Sequence, residues 1–307
     1  MPILSVRHRT VYRYRRPVSF GEHRIMIRPR DSYDQRLIEA SLDIDPAPAT
    51  LRWMFDVFGN CVAVATFDTR AETLTFDGRI TLEHTPEHAP VFPLAPHAVL
   101  YPFGYGVEDM PDLSRSIERA WPDPRHEVDA WARSFLPAEG RILTQDLLAA
   151  MTRRIRATFT YVARSEKGVQ DPLTTLRTKR GSCRDFAVLM MEAVRALGMA
   201  ARFVSGYLYN PGNDRGRHVG GGSTHAWVQV YLPGAGWVEF DPTNGIVGNR
   251  DLIRVAVARA PAQALPLQGS FFGLSSDDLG MIVEVDVTES ADDNVHGLAG
   301  NAAPPLR

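Results

Sequence analysis

From Leu4 to Arg15 the chain alternates. Leu4, Val6, His8, Thr10, Tyr12 and Tyr14 fall on one side, and Ser5, Arg7, Arg9, Arg13 and Arg15 mostly on the other, the period-two pattern of a strand with one covered face. Further strand patterns occur in HRIMIRPR, around WMFDVFGNCVAVATF and in TLTFDGRITLEH, separated by Pro, Gly or Asp, with a tight turn at Phe58–Asn60. Residues 1–85 are therefore expected to form a small all-β sandwich or barrel. The segment EHAPVFPLAPHAVLYPFGYG carries a proline or glycine every few residues and no sustained period, which predicts a linker over 86–111.

After Asp112 the period becomes helical, in LSRSIERA, in HEVDAWARSFL and in ILTQDLLAAMTRRIRATFTY, where Leu147, Leu148, Met151 and Ile155 share a face. KGVQDPLTTLRTKRG reads as a loop with a short turn of helix. In GSCRDFAVLMMEAVRALG, Phe186, Leu189, Met190, Ala193, Val194 and Leu197 recur at three- and four-residue steps, and Gly198 is placed to end the helix. Period two then returns in ARFVSGYLY, THAWVQVYL, WVEFDP and MIVEVDVT. The pattern predicts an α+β unit over 112–290, helices leaning on a sheet, followed by a polar, glycine-rich tail over 291–307.

Ser182 as N-cap puts Asp185 at the third helical position, close to a capping box. It also puts Cys183 at the first helical position, where free backbone N–H groups and the helix dipole favour a thiolate. The same N–H groups can hold the oxyanion formed when that thiolate attacks a carbonyl. A lone cysteine is as readily a small buried hydrophobe, so a partner base decides between the two. THAWVQVYLPGAGWVEFDPTNG supplies one: His225 opens a strand, Asp241 ends the next, and the PGAG turn makes the two strands antiparallel neighbours. Taken singly, His225 reads as a satisfied histidine on a half-buried strand and Asp241 as a turn-capping carboxylate. Together, with the glycine-rich HVGGGST leading into the histidine, they read as base and orienter behind a cysteine nucleophile.

Composition narrows the alternatives. With 34 basic against 36 acidic side chains in 307 residues, the chain has no general attraction to nucleic acid or to an anionic membrane. Arg7, Arg9, Arg13, Arg15 and Arg16 read as a solvated face that guards a sheet edge. No membrane span or secretory signal is apparent, and a cytoplasmic location is expected. Cys61 and Cys183 are too few for a disulfide scaffold or a cysteine-built metal centre. Cys61 reads as a strand filler, His218 and His225 lack ligand spacing, and no metal or cofactor is expected. Gly220, Gly221 and Gly222 lack the residues of a phosphate loop and suit a mobile lip over the site.

GSCRDFA, THAWVQVYLPGAGWVEFDPTNG and the linking SGYL resemble the core of the transglutaminase-like superfamily, a branch of the papain-like cysteine enzymes. HRTVYRYRRPVSFGEHRIMIRPR with FDVFGNCV resembles the β-rich region that precedes this core in bacterial members. The resemblance extends to about Gly273. It implies a papain-like core, with the helix bearing the cysteine packed on an antiparallel sheet, and it places the nucleophile on Cys183, the base on His225 and the orienter on Asp241. Tyr161 is the possible counterpart of an upstream aromatic or amide residue that assists the oxyanion hole. Asp185 beside Arg184 matches the family's motif, as helix cap and local ion pair. Ala258, Arg259 and Ala260 stand where close relatives tend to carry Gly-Arg-Asp, and a changed acyl-substrate specificity is expected from that departure.

The implied chemistry is acyl transfer through a thioester on a peptide or protein substrate. Hydrolysis is the expected outcome, because an amine acceptor must outcompete water, with transglutamination as the alternative. A non-catalytic binding or scaffolding module is the third reading, and retention of all three residues counts against it.

Overall fold

The computed structural model describes residues 2–85, 92–164, 167–210, 219 and 222–289. His218, Gly220, Gly221 and the expected tail at 291–307 lie outside these.

Two antiparallel sheets form the β-rich part. In the first, β1 (Ile3–Phe20) is central, with β6 (Ala71–His84) and then β3 (Gln35–Asp45) on one side. The other side of β1 is paired by β17 (Phe271–Phe272) and β18 (Asp278–Glu289). The second sheet runs β16 (Leu267–Gln268), β2 (His23–Ile25), β5 (Cys61–Thr66), β4 (Thr50–Phe55). The alternation expected along β1 is realised: Leu4, Val6, His8, Thr10 and Tyr14 are buried while Arg7, Arg13 and Arg15 are exposed. Tyr14, Val18 and Phe20 of β1 meet Ile25, Ala63 and Ala65 of the second sheet, so the two sheets make a sandwich. Asp56 organises the turn between β4 and β5 by accepting from Phe58 N at 2.9 Å and Asn60 N at 2.8 Å, while Gly59 takes the positive φ (74°) that the turn requires. Arginines on the outer face meet acids across strands, Arg7 with Asp77 and Arg9 with Glu284 at 3.7 Å, as a solvated strand face would, but β1 is paired on both sides and they guard no edge.

Residues 267–289 were expected to belong with the helical unit, and MIVEVDVT is a strand as its pattern requires. Its partner, however, is β1, in a register running from Leu4↔Glu289 to Tyr14↔Asp278. The chain thus returns to the sandwich after completing the α+β part. Strand pairing is a tertiary event, and the period-two pattern specifies a strand without naming its neighbour.

The segment after residue 91 is packed and not a free linker. Phe92 and Ala98 are buried, and β7 (Leu100–Tyr101) pairs with β8 (Ile142–Leu143). Then come α1 (Met110–Ile117), α2 (Glu127–Arg133), α3 (Thr144–Thr158) and α4 (Pro172–Thr178). Between them, β9 (Thr160–Tyr161) runs parallel to β10 (Arg180–Gly181), which leads directly into α5 (Cys183–Ala196). The helix α5 is buried at all but its second and last positions, and it is the axis of the largest apolar cluster, against Leu147, Met151 and Ile155 of α3 and Ala226, Val228 and Val230 of the sheet. Its buried Glu192 accepts from Arg119 Nε at 3.0 Å, from Ala120 N and Trp121 N, and from Arg195, which pins the loop before α2.

That sheet is antiparallel, in the order β14 (Ile246–Val247), β13 (Gly236–Asp241), β12 (His225–Leu232), β11 (Ala201–Leu208), β15 (Leu252–Ala258). The turn between β12 and β13 contains Gly234 at φ 92°, where a Cβ would lie 2.4 Å from Ala95 N, so only glycine lets residues 93–95 close over it. Strand β15 was not anticipated from the sequence. Its free edge is capped by side-chain amides: Gln35 exchanges two hydrogen bonds with the Arg254 backbone (2.7 and 3.0 Å), and Asn60 two with the Val257 backbone (2.7 and 2.9 Å).

Candidate active site

Cys183 opens α5 with Ser182 as its N-cap, in extended backbone conformation (φ −88°, ψ 176°). Asp185 folds back so that its Oδ2 accepts from both Ser182 N and Ser182 Oγ at 2.8 Å. Its Oδ1 accepts from Gln170 N at 2.6 Å and from an Arg164 guanidinium nitrogen at 2.8 Å. Burial opposes ionisation of this carboxyl, but the donors from Gln170, Ser182 and Arg164 outweigh it and hold its pKa below the usual range. The ion-pair partner is thus Arg164, not the adjacent Arg184 expected from the motif. Arg184 follows Cys183 at the second helical position, where its side chain points to Arg164 O at 3.5 Å. Gly181 makes room for this arrangement, since a Cβ there would meet Asp185 Cβ at 2.9 Å.

His225 and Asp241 lie together at one end of the β12–β13 ribbon, as their spacing predicted. His225 Nε2 and Asp241 Oδ2 are 2.8 Å apart, with both side chains fully buried. Asp241 Oδ1 accepts from Thr243 N at 2.8 Å and Asn244 N at 3.3 Å, and Asn244 Nδ2 donates to Oδ2 at 2.9 Å. Burial disfavours a charged imidazole, but Asp241 first and the Cys183 side chain next outweigh it, raising the His225 pKa. For Asp241 the same pairing with His225, against burial, lowers it. The other ring nitrogen, Nδ1, is buried and makes no hydrogen bond of regular geometry among the described residues, but the Cys183 side chain is near enough to act on the imidazole as a hydrogen-bonding group, which suits proton exchange with the thiol.

Two residues not anticipated from the sequence, Asn244 and Trp227, complete the surroundings. Asn244 bridges Asp241 to Val219, accepting from Val219 N at 2.7 Å and donating to Val219 O at 3.3 Å. The DPTN run is the available signal, a carboxylate followed by a turn that returns backbone and amide donors to it. Trp227 stacks on His225 with ring centroids 6.0 Å apart and planes at 28°. Its indole lies over Gly206, where a Cβ would come 2.7 Å from the ring and 2.1 Å from Ile253 O, which explains the glycine of SGYL.

Tyr161 pairs in register with Gly181, two residues before Cys183. Burial, and then the proximity of Cys183, push its phenol pKa up, so the side chain lies within electrostatic reach of the thiol. The Ala258–Ala260 departure lies elsewhere. Arg259 O accepts from Arg195 at 2.7 Å, and Arg195 follows Cys183 by twelve residues, about 18 Å along a helix. The departure therefore does not border the thiol. Ala258 is a fully buried core residue.

The sequence matches the profile of the bacterial transglutaminase-like N-terminal region over residues 4–83 and that of the transglutaminase-like superfamily over residues 131–242. The chain belongs to the transglutaminase-like superfamily. An uncharacterised protein of Mycobacterium tuberculosis is 31% identical over 303 residues, spanning 95% of this chain and 94% of its own length. A protein-glutamine gamma-glutamyltransferase of Pseudomonas aeruginosa is 34% identical over 113 residues, 34% of this chain and 17% of that protein. Among solved structures, a candidate cysteine protease from Cytophaga hutchinsonii shares the fold, with a TM-score of 0.67 at 18% identity over 94% of this chain and 92% of that one.

Proposed function

We propose that the protein is a cysteine-dependent acyl-transfer enzyme acting on a peptide or carboxamide, with hydrolysis as its principal outcome. The observation that supports this reading is the placement of Cys183 at the first position of a buried helix, with its charge felt by a histidine whose far nitrogen is fixed by Asp241. In this reading His225 Nδ1 takes the thiol proton and the thiolate attacks the carbonyl. The tetrahedral oxyanion is held by backbone N–H groups at the start of α5, assisted by Tyr161. The imidazolium then protonates the leaving amine, and water resolves the thioester with His225 as base. No metal or cofactor takes part. The two free cysteines suit a reducing compartment, and cell fractionation with a specific antibody checks the cytoplasmic placement.

A second acceptor, a primary amine, is favoured by the likeness to the Pseudomonas transferase. Incubation with a glutamine-bearing protein and a labelled primary amine separates the two. Ammonia release without label is expected, label incorporation dependent on Cys183 overturns the hydrolytic preference, and neither in wild type or Cys183→Ala leaves the binding-module reading.

A further inference from the structure

At the end of the sheet away from His225 a cleft of about 460 Å³ opens between α1, the β4–β5 turn and strands β11–β13. Arg202 forms part of its wall, with Phe58, Tyr231 and Trp237 as apolar surface and Arg115 and Arg259 as further cations. The Arg202 guanidinium stacks on Trp237, 4.1 Å from the ring centroid, and its Nε donates to Gln229 Oε1 at 2.7 Å. Its two outer nitrogens make no hydrogen bond to any described residue, and the side chain lines both this cleft and a smaller one walled by Arg30 and Arg254. Arg254, itself held between Asp34 and Glu239, and Arg30 lie close enough to repel it. Burial first, then these like charges, lower its pKa to about 9 in spite of Glu239. A guanidinium does not shed its proton readily, so this marks a positive charge short of compensation.

We propose that the cleft binds a small monoanion through the free fork of Arg202, a carboxylate being the group that matches the fork, with an apolar body against Tyr231 and Phe58. A planar carboxylate accepts two parallel N–H bonds from a guanidinium, and half-buried aromatic walls suit an aromatic or aliphatic remainder. Asp109 and Asp112 also line the cleft, which disfavours a polyanion such as nucleic acid. Arg202 pairs with Gln229, four residues past His225 and about 13 Å along the strand, so the site is separate from the thiol.

The test follows the Trp237 indole N–H resonance and the thermal midpoint of the whole chain during titration with phenylacetate, phenylacetamide and inorganic phosphate, with sodium chloride holding ionic strength constant. Saturable binding of phenylacetate, absent with the neutral amide, is expected, with affinity on the order of tenfold lower in Arg202→Gln and a smaller loss in Arg259→Gln. Saturable phosphate binding without phenylacetate binding overturns the carboxylate and its apolar wall and leaves only an oxyanion site. Equal binding of acid and amide, no saturable response to either anion, or unaltered anion affinity in Arg202→Gln overturns the proposal. Alkylation of Cys183 at the wild-type rate shows that Arg202→Gln is folded. Where that variant does not fold, Arg259→Gln and the acid–amide comparison decide.

Discussion

Asp241 accepts four hydrogen bonds, from His225, Thr243 and twice from Asn244, so its carboxylate is fixed in position as well as charged. It is the largest influence favouring a protonated His225. Removing that charge weakens the imidazolium that supports a thiolate, and the thiol then needs a higher pH to react. In Asp241→Asn the rate of iodoacetamide labelling at Cys183 should therefore shift to higher pH by about one unit. Asn244→Ala, which leaves the charge but removes the donor and the bridge to Val219, should shift it the same way by less. Peptide mass spectrometry reads the labelling, with half-buried Cys61, whose thiol pKa burial raises, as internal control. Unshifted profiles in both variants would remove Asp241 from the mechanism. The three principal residues were legible in the sequence because each sits at the end of an element, where a cap, a turn and a proline mark the position. Asn244 was not, because its bond to Val219 joins residues 25 positions apart, which no local pattern displays.

At the scale of elements, the approach to Cys183 depends on a buried carboxylate and the neglected strand on two amides. Asp185 has a depressed folded pKa, so its stabilisation is fully present above the unfolded value, about 3.9, and is lost as pH falls from there through the folded value. Asp185→Asn should lower stability at pH 7 by on the order of 2–3 kcal/mol and flatten the loss of wild-type stability below about pH 4, as urea unfolding across that range will show. An unchanged acid limb would mean that other carboxylates carry it. Strand β15 escaped the sequence reading because it is covered on both faces, with only Arg254 and no alternation to interrupt an apolar run. Its free edge is instead closed by Asn60 and Gln35, residues roughly 200 positions away whose role no local pattern displays. Asn60→Ala leaves Val257 N and O without their partners in a buried setting, and should cost about 2 kcal/mol or more by the same measurement.

Over the whole molecule the two parts share one interior. Leu4, Val6, Ile80 and Leu82 of the first sheet pack with Tyr207, Ile253 and Val255 of the helical unit's sheet and with Tyr209 just past β11, and Val285 of β18 joins them. Polar ties cross the same boundary. His8 Nδ1 and Tyr207 Oη are 3.0 Å apart, Arg254 meets Asp34 at 2.9 Å, and Val285 N donates to Gly222 O at 3.1 Å, close to His225. The long β1 strand uses the first half of one face against the sheet of the helical unit and the second half of that face against its own sandwich, so neither sheet can leave without exposing apolar surface on both partners. The chain should accordingly unfold in one transition, with calorimetric and van't Hoff enthalpies equal. Truncation after Asp277 removes β18, and with it the cover on β1 and the tie to Gly222. It should lower the thermal midpoint and slow Cys183 labelling together, although no deleted residue belongs to the site. Two resolved transitions in the intact chain, or a truncated chain that labels at the wild-type rate, would show that the sandwich is an independent appendage and that the thiol does not depend on it.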